Sequence, residues 1–181
     1  MTCIVGYVEG SKVYIGGDSA GVSGYNVSTR GDSKVFHNGD MLFGFTSSFR
    51  MGQLLRYSLE IPRCETWDIE RFMCVDFVNA IRKCFTAGGF ASLENGEEYG
   101  GTFLVGFRNR LWRIDSDYQV GWNELGYEAL GCGEEFALGA LAALECLTGL
   151  EITTDERITI ALQAADTHSG GVCGPFNILS I

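Results

Sequence analysis

The chain has 181 residues, 46% of them apolar and 20% charged, which suits one folded domain with a sizeable core and excludes disorder as the default. Its formal net charge of −10, with 13 scattered Lys and Arg, argues against nucleic acid as a partner, because a phosphate backbone selects clustered cations. The 7 cysteines form no C-x-x-C pair and sit mostly in apolar runs, the pattern of reduced buried thiols rather than of zinc ligands. With no cationic leader and no run of ~20 apolar residues, the expectation is a soluble cytoplasmic protein with no membrane contact, metal or cofactor.

In chain order, Thr2 to Val8 and Lys12 to Gly16 read as a hairpin turning at Glu9-Gly10-Ser11. A glycine- and serine-rich loop is expected from Asp18 to Asp32. Strands Lys34 to His37 and Met41 to Phe45 flank the turn Asn38-Gly39-Asp40. Apolar spacing predicts helices over Ser48 to Glu60 and Asp68 to Thr86. Gly88 to Gly101, rich in Gly and Glu, reads as an exposed loop, with Glu94 to Glu98 a solvated face. A hairpin over Thr102 to Phe107 and Leu111 to Ile114 follows, then a short strand at Tyr118 to Trp122. Helices over Glu134 to Leu147 and Thr154 to Ala165, the second capped by Thr153 or Thr154, precede a closing strand from Phe176 to Ile181. Strands, two helices, strands, two helices, strand: the grouping predicts an α+β domain over 1–181, two stacked antiparallel sheets covered by helix pairs.

Thr2 is the sharpest chemical feature. Removal of Met1 would leave a threonine whose hydroxyl and α-amine, the latter of pKa ~7.7–8.0, sit on one residue, so nucleophile and base come together. A chain that keeps Met1 has that amine blocked. Asp18 ends the second strand in Gly16-Gly17-Asp18-Ser19, and Lys34 opens the third in Ser33-Lys34-Val35. Hairpin geometry brings the end of strand two beside the start of strand one, so a lysine buried there would favour the alkoxide and, by like-charge repulsion, the unprotonated amine. Asp18 would orient that lysine. Other chemistries fit less well. Cys3 lies in an alternating strand and points to the core. Ser169, His168 and Asp166 are too close in sequence for a Ser-His-Asp triad. The glycines from Gly16 to Gly24 lack the Gly-Lys-Ser/Thr ending of a phosphate loop.

Thr2, Gly16-Gly17-Asp18-Ser19, Ser33-Lys34-Val35, Gly44-Phe45, Gly131-Cys132-Gly133 and Asp166-Thr167-His168-Ser169-Gly170-Gly171 stand in an order and spacing that resembles proteasome β-subunits and HslV, N-terminal-nucleophile hydrolases. The resemblance implies a four-layer αββα sandwich and a threonine endopeptidase acting on unfolded polypeptides. Thr2 is then nucleophile and base, with Asp18 and Lys34 as charge support and the Gly44 amide as oxyanion donor. Asp166 and Ser169 would hydrogen-bond around the Thr2 amine, and Thr46 and Ser47 would lie near the specificity pocket. Cys132 departs from the pattern, standing where the family has a serine against the amine; a thiol is the weaker hydrogen-bond partner. The resemblance further implies self-assembly into stacked six- or seven-fold rings and a separate ring ATPase as partner. A non-catalytic ring or scaffold subunit, or a hydrolase of small amides, would share the same fold.

Overall fold

A computed structural model describes residues 1–147, 149 and 151–181. Its first sheet is built on β1 (Cys3–Glu9) and β2 (Lys12–Gly17), paired from Ile4↔Gly17 to Glu9↔Lys12. The hairpin places the end of β2 beside the start of β1, as the spacing requires. The expected loop after Asp18 is instead an exposed hairpin, β3 (Ala20–Ser23) and β4 (Asn26–Thr29), turning at Gly24 with φ 58°. Its strands bury little, so no alternating apolar pattern marked them.

Next come β5 (Val35–Asn38), β6 (Met41–Phe45) and α1 (Phe49–Tyr57), the last capped by the Ser48 hydroxyl. The second expected helix runs through α2 (Ile69–Arg71), a π-helical stretch at Phe72–Phe77 and α3 (Val78–Ala87). The stretch expected as loop from Gly88 to Gly101 contains the hairpin β7 (Ser92–Glu94) and β8 (Glu97–Tyr99), whose turn is Asn95-Gly96 with both φ positive. Then follow β9 (Phe103–Phe107), β10 (Arg110–Ile114), β11 (Val120–Gly121) and β12 (Tyr127–Gly131), a strand the apolar pattern did not disclose. The chain ends with α4 (Glu134–Glu145), α5 (Thr154–His168) and β13 (Asn177–Ser180). Thr153 caps α5 in a reciprocal arrangement with Glu156.

One sheet runs β12-β1-β2-β13, the other β11-β10-β9-β6-β5. Alternation along each strand sorts the core into layers. In β6, Met41, Phe43 and Phe45 pack outward with α1 and α3, while Leu42 faces the other sheet. In β1, Cys3 and Val5 meet α4 and α5, while Ile4 joins Ile15, Val35, Leu104 and Leu130 between the sheets. This is the expected four-layer α+β sandwich. At Gly44 the sheets come so close that a Cβ would lie 2.6 Å from the Ile15 side chain and 2.7 Å from that of Ile4.

One ion pair also joins the sheets. Lys34, just before β5, places Nζ 2.8 Å from Oδ1 of Asp18, just after β2, and the two side chains are 1% and 0% exposed. The Cys3 N–H donates to the same oxygen at 2.9 Å, and Ala20 and Cys173 N–H groups donate to Oδ2 at 2.8 and 3.5 Å. The carboxylate is thereby supplied with donors from β1, β3 and the segment before β13.

Lys34→Met leaves Asp18 buried without its counter-charge and is expected to cost about 3–5 kcal/mol in chemical denaturation, much of which the double change Asp18→Asn with Lys34→Met restores. Phe43→Ala, which removes a ring in contact with Phe36, Phe77 and Phe103, is expected to cost about 3–5 kcal/mol in the same experiment.

Candidate active site

Thr2 immediately precedes β1 and is 5% exposed. Its neighbour Cys3 pairs with Gly131 on β12, so the turn after β12, Gly131-Cys132-Gly133, passes directly over the start of the chain. Thr2 N–H donates to Cys132 Sγ at 3.3 Å, the Cys132 thiol lies 3.5 Å from Thr2 O, and Gly133 N–H donates to that carbonyl at 3.3 Å. Gly131 has φ +97°, a region that favours glycine, and any Cβ there would strike the Thr2 carbonyl. The Ser169 hydroxyl, at the C-cap of α5, donates to Cys132 Sγ at 3.2 Å. Thr2, Cys132 and Ser169 thus form one connected chain of polar groups around the Thr2 nitrogen. The buried Asp18–Lys34 pair is tied to the next residue through Cys3 N–H.

The remaining expected residues divide. The Thr46 hydroxyl lies 3.2 Å from where a Gly131 Cβ would stand, which puts it beside Thr2. Ser47, at φ 65°, turns its hydroxyl the other way, to accept from Thr102 N–H at 3.1 Å. Asp166 is exposed on α5, and among the described residues no hydrogen bond joins it to Thr2, Cys132 or Ser169. Gly44 is held in the ladder. Phe45 N–H donates to Lys34 O and Thr46 N–H to Thr102 O, and antiparallel alternation therefore turns the Gly44 N–H, two residues before Thr46, toward Leu104 of β9. An oxyanion would have to share that donor.

Met1 occupies the approach to Thr2. Its carbonyl accepts a hydrogen bond from the Thr2 hydroxyl, and its side chain lies against Gly171, which also faces Cys132 Sγ. Cys3, fully buried under α4 and α5, has its thiol pushed up to about 12, first by burial and then by Asp18, so it is packing rather than a nucleophile. Sequence reasoning missed the supports behind Asp18 and Lys34. Ser19 Oγ donates to Pro175 O at 2.6 Å, which fixes the segment that offers Cys173 N–H, and Arg56 of α1 donates to Ser33 O at 2.5 Å, just before Lys34. Both are contacts between distant parts of the chain, and no local motif signals them. The hollow of about 360 Å³ lined by Cys64, Trp67 and Arg108 shares no residue with this site. Among the described residues no group of three His, Cys, Asp or Glu is arranged to hold a metal ion, and no helix is long and apolar enough to cross a membrane.

No protein-family model matches the sequence, and no curated protein does. Solved structures do resemble it in shape. A structure of Thiobacillus denitrificans BPH in complex with epoxomicin superposes with a TM-score of 0.81 at 16% identity, covering 99% of this chain and 98% of that one. A second structure of Thiobacillus denitrificans BPH gives 0.80 at 16% identity over 99% of this chain and 97% of that one. Eukaryotic HslV from Trypanosoma brucei gives 0.68 at 19% identity, again covering 99% of this chain and 98% of the other. At these identities the likeness is one of fold. The chain has the fold of these HslV and BPH structures along nearly its whole length.

Proposed function

We propose that this protein is a threonine endopeptidase of the HslV kind, with Thr2, exposed by removal of Met1, as nucleophile and its own α-amine as general base. The observation that carries the reading is the buried Asp18–Lys34 pair bonded to the residue beside Thr2. A structural ion pair is ordinarily left at the surface, because burying both charges costs several kcal/mol per ion. Placing one where a chain start meets Cys132 and Ser169 is costly for stability and useful for an alkoxide.

In this mechanism the free α-amine takes the Thr2 hydroxyl proton, directly or through water, as Oγ1 attacks the scissile carbonyl. The lysine ammonium stabilises the negative charge that develops on oxygen. Collapse expels the leaving amine, which takes the proton from the α-ammonium, and leaves an ester on Oγ1. Water then hydrolyses the ester with the same amine as base. Cys132 and Ser169 hold the nitrogen in position, and Thr46 borders the site where the substrate side chain sits. Asp166 and Gly44 join the reaction only if substrate binding recruits the first into the Cys132–Ser169 chain and frees part of the second's N–H. The substrates are unfolded polypeptides, admitted to rings that copies of this chain form, and a separate ring ATPase supplies them. Epoxomicin, found with the Thiobacillus denitrificans BPH, is a suitable probe for the same site here.

A second reading, a non-catalytic scaffold subunit that keeps Met1, rests on Cys132, whose thiol stands against the Thr2 nitrogen at 3.3 Å and is a weaker hydrogen-bond partner there than a hydroxyl. Intact mass separates the two: the peptidase reading expects a mature chain lacking one methionine, and a chain retaining it in active preparations contradicts that reading. Thr2→Ala is expected to lower the turnover of a fluorogenic peptide by about 10³-fold or more at unchanged fold; equal cleavage by both proteins would remove Thr2 from the mechanism.

A further inference from the structure

We infer that Arg113 is a positioning residue that holds the Cys132 turn, and through it the Thr2 nitrogen, by gripping the chain on both sides of Gly131-Cys132-Gly133. The consequence for catalysis rests on the peptidase reading above; the mechanical claim does not. Arg113 lies in β10, one sheet away from Thr2. It is two residues beyond Leu111, whose side chain belongs to the layer between the sheets, so it shares that face. Where the apolar layer ends, its guanidinium reaches β12 and α4. One Nη1 lies 3.5 Å from the Ala129 carbonyl and 3.7 Å from Glu128 Oε1, both before the turn, and donates to Glu134 Oε1 at 3.0 Å, just after it. Asp115, on the arginine's own strand side, accepts from Nε at 2.9 Å and fixes the plane of the fork. The Arg113 side chain is 29% exposed, and those of Glu128 and Glu134 are 15% and 30%.

A single exposed pair in such a place contributes little. Here one planar fork has partners at three points, and two of them bracket the three-residue turn that touches Thr2 N, Thr2 O and Ser169. Glu134 is the first residue of α4, where a carboxylate is favoured by the helix dipole. Loosening the grip frees the turn to move as a unit while both sheets stay packed. A lysine can replace the charge but not the fork.

The test reads the turn directly. The exposed Cys132 is labelled with a thiol reagent and its modification is timed by peptide mapping against exposed Cys74 of the same chain, which lies in the helix of the other sheet. In Arg113→Met the ratio of Cys132 to Cys74 labelling is expected to change by about threefold or more, in Arg113→Lys by less, and in Glu134→Gln in the same direction as Arg113→Met. In the same proteins kcat for a peptide is expected to fall about tenfold or more in Arg113→Met while KM stays within about twofold, because a misplaced base acts on turnover rather than binding. An unchanged labelling ratio in both Arg113→Met and Glu134→Gln overturns the proposal, whatever happens to kcat. A changed ratio in a protein without peptidase activity upholds the grip and counts against the peptidase reading alone. Should Arg113→Met fail to fold, Glu134→Gln carries the decision.

Discussion

A lysine and an aspartate buried together between two sheets set the terms for the rest of this molecule. Removing an ion pair from water costs several kcal/mol per ion, and the attraction within the pair offsets that only when the remaining lone pairs are satisfied. Asp18 meets the condition with three backbone N–H donors from three separate segments as well as Lys34 Nζ. Each donor fixes a piece of backbone: the start of β1, the turn into β3, the stretch before β13. The start of the chain is therefore not free to wander, although chain ends usually are. Thr2 is held at 5% exposure by what its neighbour does.

That constraint explains why the glycines and the thiol cluster where they do. With β1 fixed, the β12 turn must cross the Thr2 carbonyl at a distance that excludes a Cβ at Gly131, and Cys132 is delivered to the Thr2 nitrogen. The Cys132 sulfur is a weak acceptor and a weak donor, so it holds the Thr2 nitrogen less firmly than a hydroxyl would and leaves more of the positioning to the backbone of the turn. The grip of Arg113 on Ala129 and Glu134 compensates from the opposite sheet.

Much of the architecture was legible because alternation and helical spacing are local. Met41, Phe43 and Phe45 against Leu42 announce a strand between two cores, and Ser48 and Thr153 announce helix starts. The hairpins at Ala20–Thr29 and Ser92–Tyr99 carry no such signal, the first because exposed strands have no apolar alternation, the second because Asn95-Gly96 sits inside an acidic, polar stretch. Within the candidate site, hydrogen bonds join Thr2, Cys132 and Ser169, and the Asp18–Lys34 pair is linked to them through Cys3 N–H. Asp166 projects from the exposed side of α5, and strand register turns the Gly44 N–H toward β9. Neither fact is local, since helix rotation and ladder phase depend on partners far along the chain. Arg113 was invisible for the same reason.

The account stands on Thr2 being the atom that attacks. Incubating the mature protein with a peptide that carries an electrophilic C-terminus, then mapping the adduct by fragmentation mass spectrometry, tests this directly. A single adduct on Thr2 is the predicted result. An adduct on Cys132 with Thr2 unmodified, or none at all while peptide cleavage continues, would contradict it.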